Sequence, residues 1–245
     1  MRIKIAVAII GMVLLITGCA PDPVFRLESQ ENNVMNYRGM EYLYSEGENS
    51  SVTMAYYRHL EDYIVMDVEV INHSDSAIQI NPQKFTYNTR YDYFDGSYKP
   101  LTSGLAYNPE KILLDLDLAS SRAEASERTN RLLDGLSATA YLAGEIAGAG
   151  SETTQERNLR ENARTRRAVE RAERRDYFYA RVSSLNEQRA YWETETIRKT
   201  DLYPEESIAG EVLFPIEKEA NIVEFVVRVG DEEHSFTYVQ NKFQP

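Results

Sequence analysis

Between Tyr63 and Asn72 the chain alternates, with Ile64, Met66, Val68 and Val70 at one parity and Val65, Asp67, Glu69 and Ile71 at the other. A period of two with one apolar face predicts a strand. Asn72-His73-Ser74-Asp75-Ser76 is a turn-rich break, because Asn, Ser and Asp side chains bond the backbone locally. Shorter runs predict further strands at Met40–Tyr44, Ser51–Leu60, Ala77–Ile80 and Lys84–Thr89. A hairpin is predicted around Asp95-Gly96, from Tyr91–Phe94 to Ser97–Leu101. Strand character returns late in the chain, at Ser207–Phe214, Ile222–Val229 and His234–Val239. Val223, Phe225, Val227 and Val229 share one parity there, and so do Phe236 and Tyr238.

The period between these two groups is helical. Asn108 can cap a helix that opens with Pro109 at its first position. One helix is predicted from about 109 to 147, with an interruption near Ser120, and a second from about 152 to 190. Gly148-Ala149-Gly150-Ser151 separates them. A short break between two long helices predicts an antiparallel hairpin on the order of 58 Å long. Strands before and after a helical block make the expected class α+β: one strand-built domain interrupted by a helical insertion.

The first residues follow a different pattern. Arg2 and Lys4 precede an uncharged apolar run from Ile5 to Ile16. That is the layout of a secretory leader, and the run is shorter than the roughly 20 residues a spanning helix needs. Ile16-Thr17-Gly18-Cys19 follows directly and resembles the lipobox of bacterial lipoproteins. The resemblance implies cleavage between Gly18 and Cys19 and lipidation of the Cys19 thiol. It also implies a membrane partner, reached through the N-terminal lipid, and an extracytoplasmic location. Ala20 resembles outer-membrane sorting if the host is Gram-negative. Residues 19–38, with Pro21, Asp22, Pro23 and the polar Glu28–Asn33, are expected to form a lipidated tether.

Composition narrows the chemistry. The formal charge is −12, and loss of a leader carrying Arg2 and Lys4 leaves −14 on Cys19 to Pro245. A chain so acidic repels phosphate backbones, so nucleic acid is not an expected partner. Cys19 is the only cysteine; once lipidated, it leaves no thiol for a disulfide, a zinc site or a nucleophile. Tyrosine is abundant, at 17 residues against one tryptophan, which suits extracellular strands and interfaces.

Several segments together resemble an immunoglobulin-like, telokin-like family of unknown function in bacterial extracytoplasmic lipoproteins. Val68–Asp75 matches its alternating strand ending in Asn-x-Ser-Asp. Ile78–Phe85 matches the following strand, proline and aromatic, and Pro204–Pro215 matches a later strand. The resemblance covers about 50–107 and 203–241. It implies an immunoglobulin-like β-sandwich, here interrupted by a long antiparallel helical hairpin, and it brings no catalytic residues. The expected divisions are 1–18 leader, 19–38 tether, 39–107 and 201–245 sandwich, and 108–200 hairpin.

No catalytic set, metal site or cofactor site is predicted. His59, His73 and His234 stand in no ligand spacing and are expected to be ordinary surface residues. No phosphate-binding loop and no Gly-x-Ser-x-Gly elbow occurs. The most unusual feature is a stripe of Arg157, Arg160, Arg164, Arg167, Arg171 and Arg174, spaced three or four apart on one helix face. From Arg157 to Arg181 there are nine arginines against four acids. The stripe reads either as a solvated face with i,i+4 pairs or as a binding surface. Ala140, Gly144 and Gly148 form a small-residue edge that permits close helix packing. Tyr177, Phe178, Tyr179, Tyr191 and Trp192 are expected to dock the hairpin base on the sandwich. The resulting expectation is a non-enzymatic envelope lipoprotein whose hairpin mediates protein contact or self-association. The alternatives are a module binding an anionic envelope ligand through the arginine stripe, and a hydrolase with a cleft between sandwich and hairpin.

Overall fold

The computed structural model describes residues 23–31, 34–60, 62–148 and 154–244, with side chains described outside 135, 137–148, 154–164 and 167. In chain order the elements are β1 (Val24–Ser29), β2 (Met35–Tyr37), β3 (Met40–Glu46), β4 (Ser50–Leu60), β5 (Tyr63–Asn72), β6 (Ile78–Ile80), β7 (Thr86–Asp92), β8 (Tyr98–Leu105), α1 (Pro109–Gly148), α2 (Thr154–Thr194), β9 (Thr200–Leu202), β10 (Ser207–Pro215), β11 (Ile222–Val229) and β12 (Glu232–Phe243). A single 3-10 turn, Pro82–Lys84, precedes β7. The chain is mixed α+β and its sheets are antiparallel. It divides into a strand-rich unit, up to Tyr107 and from Lys199 onward, and a helical unit, Asn108–Arg198.

The strand-rich unit has two five-stranded sheets, ordered β1-β12-β11-β7-β8 and β10-β5-β4-β3-β2, and a small β6-β9 pair. Alternation decides what lies between them. Val223, Phe225 and Val227 of β11 and Phe236 and Tyr238 of β12 are buried at the predicted parity. Across the gap, the Phe214 ring of β10 lies 4.6 Å from that of Phe225 and 6.1 Å from that of Tyr87. The Tyr238 hydroxyl donates to the Met54 carbonyl at 3.0 Å, so the polar tip of a buried tyrosine is satisfied within the core.

The stretch expected to be a tether is structured in part. Val24–Ser29 pairs with β12 from Val24↔Phe243 to Ser29↔Tyr238, and Phe25 and Leu27 are 2% and 4% exposed. Phe25 and Leu27 alternate with Arg26 and Glu28, so the segment carries a strand pattern that its polar neighbours obscured. Met35–Tyr37 then forms the exposed edge strand β2. The domain thus begins near Val24, not at 39.

The Asn72 motif acts as a clamp. Its buried side chain donates to the carbonyls of Ser76 and Leu202, at 2.8 and 2.9 Å. Its Oδ1 accepts from the Ser74 N–H and hydroxyl. One amide therefore closes the β5–β6 turn and holds β9 to it, which β9, only three residues long, needs. At Gly210, β10 pairs with Val68 of β5, and the following Val212, Leu213 and Phe214 are buried.

Helix α1 begins as expected, with Asn108 Oδ1 accepting from the Glu110 N–H at 3.0 Å. It continues without interruption through Ser120, since serine weakens a helix by tenths of a kcal/mol and does not break it. Among the described residues no helix is long and apolar enough to cross a membrane.

Candidate functional site

Among the described residues, three ion pairs tie one arm of the helical unit to the other. Arg174 bonds Asp134 at 3.2 Å, Arg189 bonds Asp117, and Arg198 grips Glu110 with two bonds of 2.7 and 2.9 Å. Partner numbers rise along α2 as they fall along α1, so the helices are antiparallel. The seam on α1 runs through Leu113, Leu116, Ser120, Ala123, Glu127, Asn130 and Asp134, alternating steps of three and four. On α2 it runs through Phe178, Val182, Leu185, Arg189 and Trp192. Such a 3.5-residue repeat keeps one line of side chains facing a partner helix. The seam is apolar toward Leu113 and Trp192, and turns polar toward Asp134 and Arg174.

The polar stretch opens into a groove of about 510 Å³ lined by Ala123, Glu127, Asn130, Arg174, Tyr177 and Phe178, among others. Glu127 is buried there and accepts from Arg131 Nε at 3.0 Å. At the hairpin base Arg198 holds the Glu110 carboxyl below its usual range, chiefly through their hydrogen bonds.

The arginine stripe is in register with this seam. Stepping back from Phe178 by four and three residues meets Arg174, Arg171, Arg167, Arg164, Arg160 and Arg157 in turn. Arg174 is accordingly turned to Asp134 of α1 and is not a free cation. Arg166, just off the stripe, pairs with Glu170 at 3.1 Å. The side chains of Arg157, Arg160, Arg164 and Arg167 lie outside those described, as do those of Ala140, Gly144 and Gly148. Cys19 and Gly18 also lie outside the described residues.

The opposite face of α1 carries the signal that periodicity searches for a core would pass over. Leu114 and Leu118 are exposed, and so, eighteen residues or about five turns later, are Leu132 and Leu136. Ser121 and Ala125 fill the turns between. This stripe points away from the seam, at 3.6-residue spacing. On α2, Tyr177 and Tyr179 are exposed, the Tyr179 ring lying edge to face with Phe178 at 5.5 Å, while Trp192 is buried.

A second polar cluster sits in the strand-rich unit and corrects the expectation for His234. That residue is 2% exposed. Ser50 donates to Glu232 Oε2 at 2.5 Å. With its own proton so used, Ser50 is placed to accept from His234 Nε2 at 2.9 Å, and His234 Nδ1 lies 3.0 Å from the Ser45 hydroxyl. Burial lowers the His234 pKa, against the opposing pull of the Glu232 charge and the Ser45 backbone. Burial works to raise the Glu232 pKa, but bonds from Ser50 and Asn49 outweigh it and hold the carboxyl below its usual range. The group superficially resembles a nucleophile–base pair. Yet the acid bonds the serine and not the far side of the imidazole, and Ser50 is 0% exposed, which closes its Oγ to a substrate carbonyl. The cluster instead ties the β3–β4 turn to β12. Gly47 belongs to it, since a Cβ there would lie 2.5 Å from Glu232 Oε2. His234 shares the parity of Phe236 and Tyr238, so its burial was readable from alternation. His73, in contrast, is exposed and meets Ser51 Oγ at 2.9 Å.

Among the described residues no group of His, Cys, Asp and Glu is placed to hold a metal ion. Comparison with known protein families, with curated proteins and with solved structures finds no match to this chain.

Proposed function

We propose that the protein is a non-enzymatic lipoprotein, held outside the cytoplasm by a lipid on Cys19. Its strand-rich unit is an immunoglobulin-like β-sandwich, and its helical unit is a contact surface for another protein or a second copy. The anchor rests on the Arg2/Lys4, Ile5–Ile16 and Ile16–Cys19 pattern. The observation that carries the contact role is the outer leucine stripe. Leu114, Leu118, Leu132 and Leu136 are exposed in line on a helix whose other face is already committed to α2. Scattered surface leucines are ordinary, but a set aligned along one helix face marks a contact site.

The test is in-cell photo-crosslinking from position 132, with position 75, in the β5–β6 turn, as control. A discrete adduct from 132 that is absent from 75 is the expected result. It should vanish when Leu114 and Leu136 become glutamate, with helix content by circular dichroism unchanged. The same diffuse set of neighbours from both positions would refute the contact role.

A further inference from the structure

The sheet register brings an aromatic turn and the chain's entry point to one end of the strand-rich unit. Ile222, at the start of β11, pairs with Val239 on one side and Arg90 on the other. Four residues beyond Val239, β12 reaches Phe243, whose partner is Val24. Four residues beyond Arg90, the chain reaches Phe94 in the β7–β8 turn. At roughly 3.3 Å per residue both flanks extend about 13 Å past Ile222. Val24 and Phe94 therefore stand at one level.

The turn is built to hold Phe94 outward. Tyr93 donates to the Ser97 carbonyl at 2.8 Å, and Gly96 to the Tyr93 carbonyl at 3.1 Å. Gly96 supplies the positive φ of 83° that closes the loop. Asp95 Oδ1 accepts from the Ser97 N–H and hydroxyl at 2.9 and 2.6 Å. Phe94 is fully exposed at the tip. Tyr91 and Tyr93 stack edge to face behind it at 5.0 Å, and Tyr98 stands exposed on the returning strand. Phe243 and Val24 are exposed at the same level.

We infer that this end of the domain seats on the lipid bilayer, with Phe94 in the boundary between headgroups and acyl chains and the tyrosines at headgroup level. The inference rests on the proposed lipid at Cys19. Only three residues separate Cys19 from Pro23, and four fully extended residue steps span about 14 Å at most. An anchored domain is then held with its Val24 end against the membrane, which is the end that carries Phe94. A phenylalanine ringed by tyrosines suits that surface, since tyrosine presents an apolar ring and a wet hydroxyl. Nearby charge is mixed, Lys99 and Lys242 against Asp92 and Asp95. The contact is thus aromatic insertion, with little dependence on anionic lipid.

The test uses full-length, lipid-processed protein reconstituted into vesicles of phosphatidylcholine, with and without phosphatidylglycerol. Phe94→Cys, Tyr98→Cys and, as a far-end control, Asp75→Cys are each labelled with a nitroxide. Cys19 is the only native cysteine, and its lipid leaves the new thiol alone to react. The ratio of collision with oxygen to collision with a water-soluble nickel chelate is expected to be several-fold higher at 94 than at 75, with 98 intermediate, in both lipids. If the protein floats with vesicles but 94 and 98 are as water-accessible as 75, this inference fails and the anchor stands. If the label reacts with Cys19, or the protein does not float, the anchor reading fails and this one with it. Insertion seen only with phosphatidylglycerol would overturn the aromatic mechanism.

Discussion

Acidification is expected to unload the His234 cluster, and the sign follows from its burial. The imidazole is neutral in the folded protein, and its pKa lies below the ordinary value of 6.5. Unfolding exposes it to water, where it takes up a proton as pH falls past 6.5. Below that value the unfolded state binds more protons than the folded state, so stability is lost as pH falls from 6.5 towards the folded pKa. Above 6.5 the contribution is complete and flat. One proton corresponds to at most about 1.4 kcal/mol per pH unit within that window. Glu232, 3.9 Å from Nε2, offsets part of this by favouring the imidazolium, so the measured slope lies under the ceiling. The assay is urea unfolding followed by near-ultraviolet circular dichroism of the tyrosines, at intervals from pH 5 to 8. His234→Gln keeps a polar group for Ser50 and cannot titrate; it costs stability at pH 7.5 but flattens the slope below 6.5. Identical slopes in the two proteins would refute the buried neutral histidine. A wild-type protein that gains stability on acidification would refute the sign.

Two other perturbations test the fold. Phe25→Ala is expected to cost about 3–5 kcal/mol, because the ring is buried where a tether residue would be free; a loss under 1 kcal/mol by urea unfolding would return Val24–Ser29 to the tether. Asn72→Ala leaves the buried Leu202 carbonyl without the Asn72 donor and the Ser76 carbonyl with the Ser74 hydroxyl alone, and is expected to cost about 1–3 kcal/mol. Hydrogen exchange should then accelerate at β9 and the β5–β6 turn before it does at β11, and uniform acceleration would contradict the clamp.

Much of the strand order was legible because alternation is a local property. β5 and β11 were predicted to their end residues, and β10 nearly so, since a strand with one dry face writes that face into every second position. β1 was hidden by its surroundings: Pro21, Asp22 and Pro23 before it and Glu31–Asn33 after it read as linker, and only the β12 partner makes Phe25 and Leu27 a core pair. β9 has three residues and no pattern of its own; Asn72 and β6 hold it. The Asn-x-Ser-Asp motif was visible, whereas its purpose, satisfying carbonyls four and 130 positions away, was not.

The same division holds for the candidate surfaces. Sequence alone determined the α+β class, the position of the helical block, the spacing of the arginines and the lipobox-like pattern at Cys19, because each is a matter of period or of adjacent residues. Tertiary structure decided what those features face. A helix stripe has no address until a second helix supplies one. Arg174 became an internal partner of Asp134, and the outward face passed to Leu114, Leu118, Leu132 and Leu136. Likewise the parity of His234 marked it for the core, but only the fold supplied Ser45 and Ser50 as its partners, and Phe94 drew level with Val24 only through the register of four strands. Periodicity is carried by neighbours along the chain, while burial, pairing and level are carried by neighbours across it.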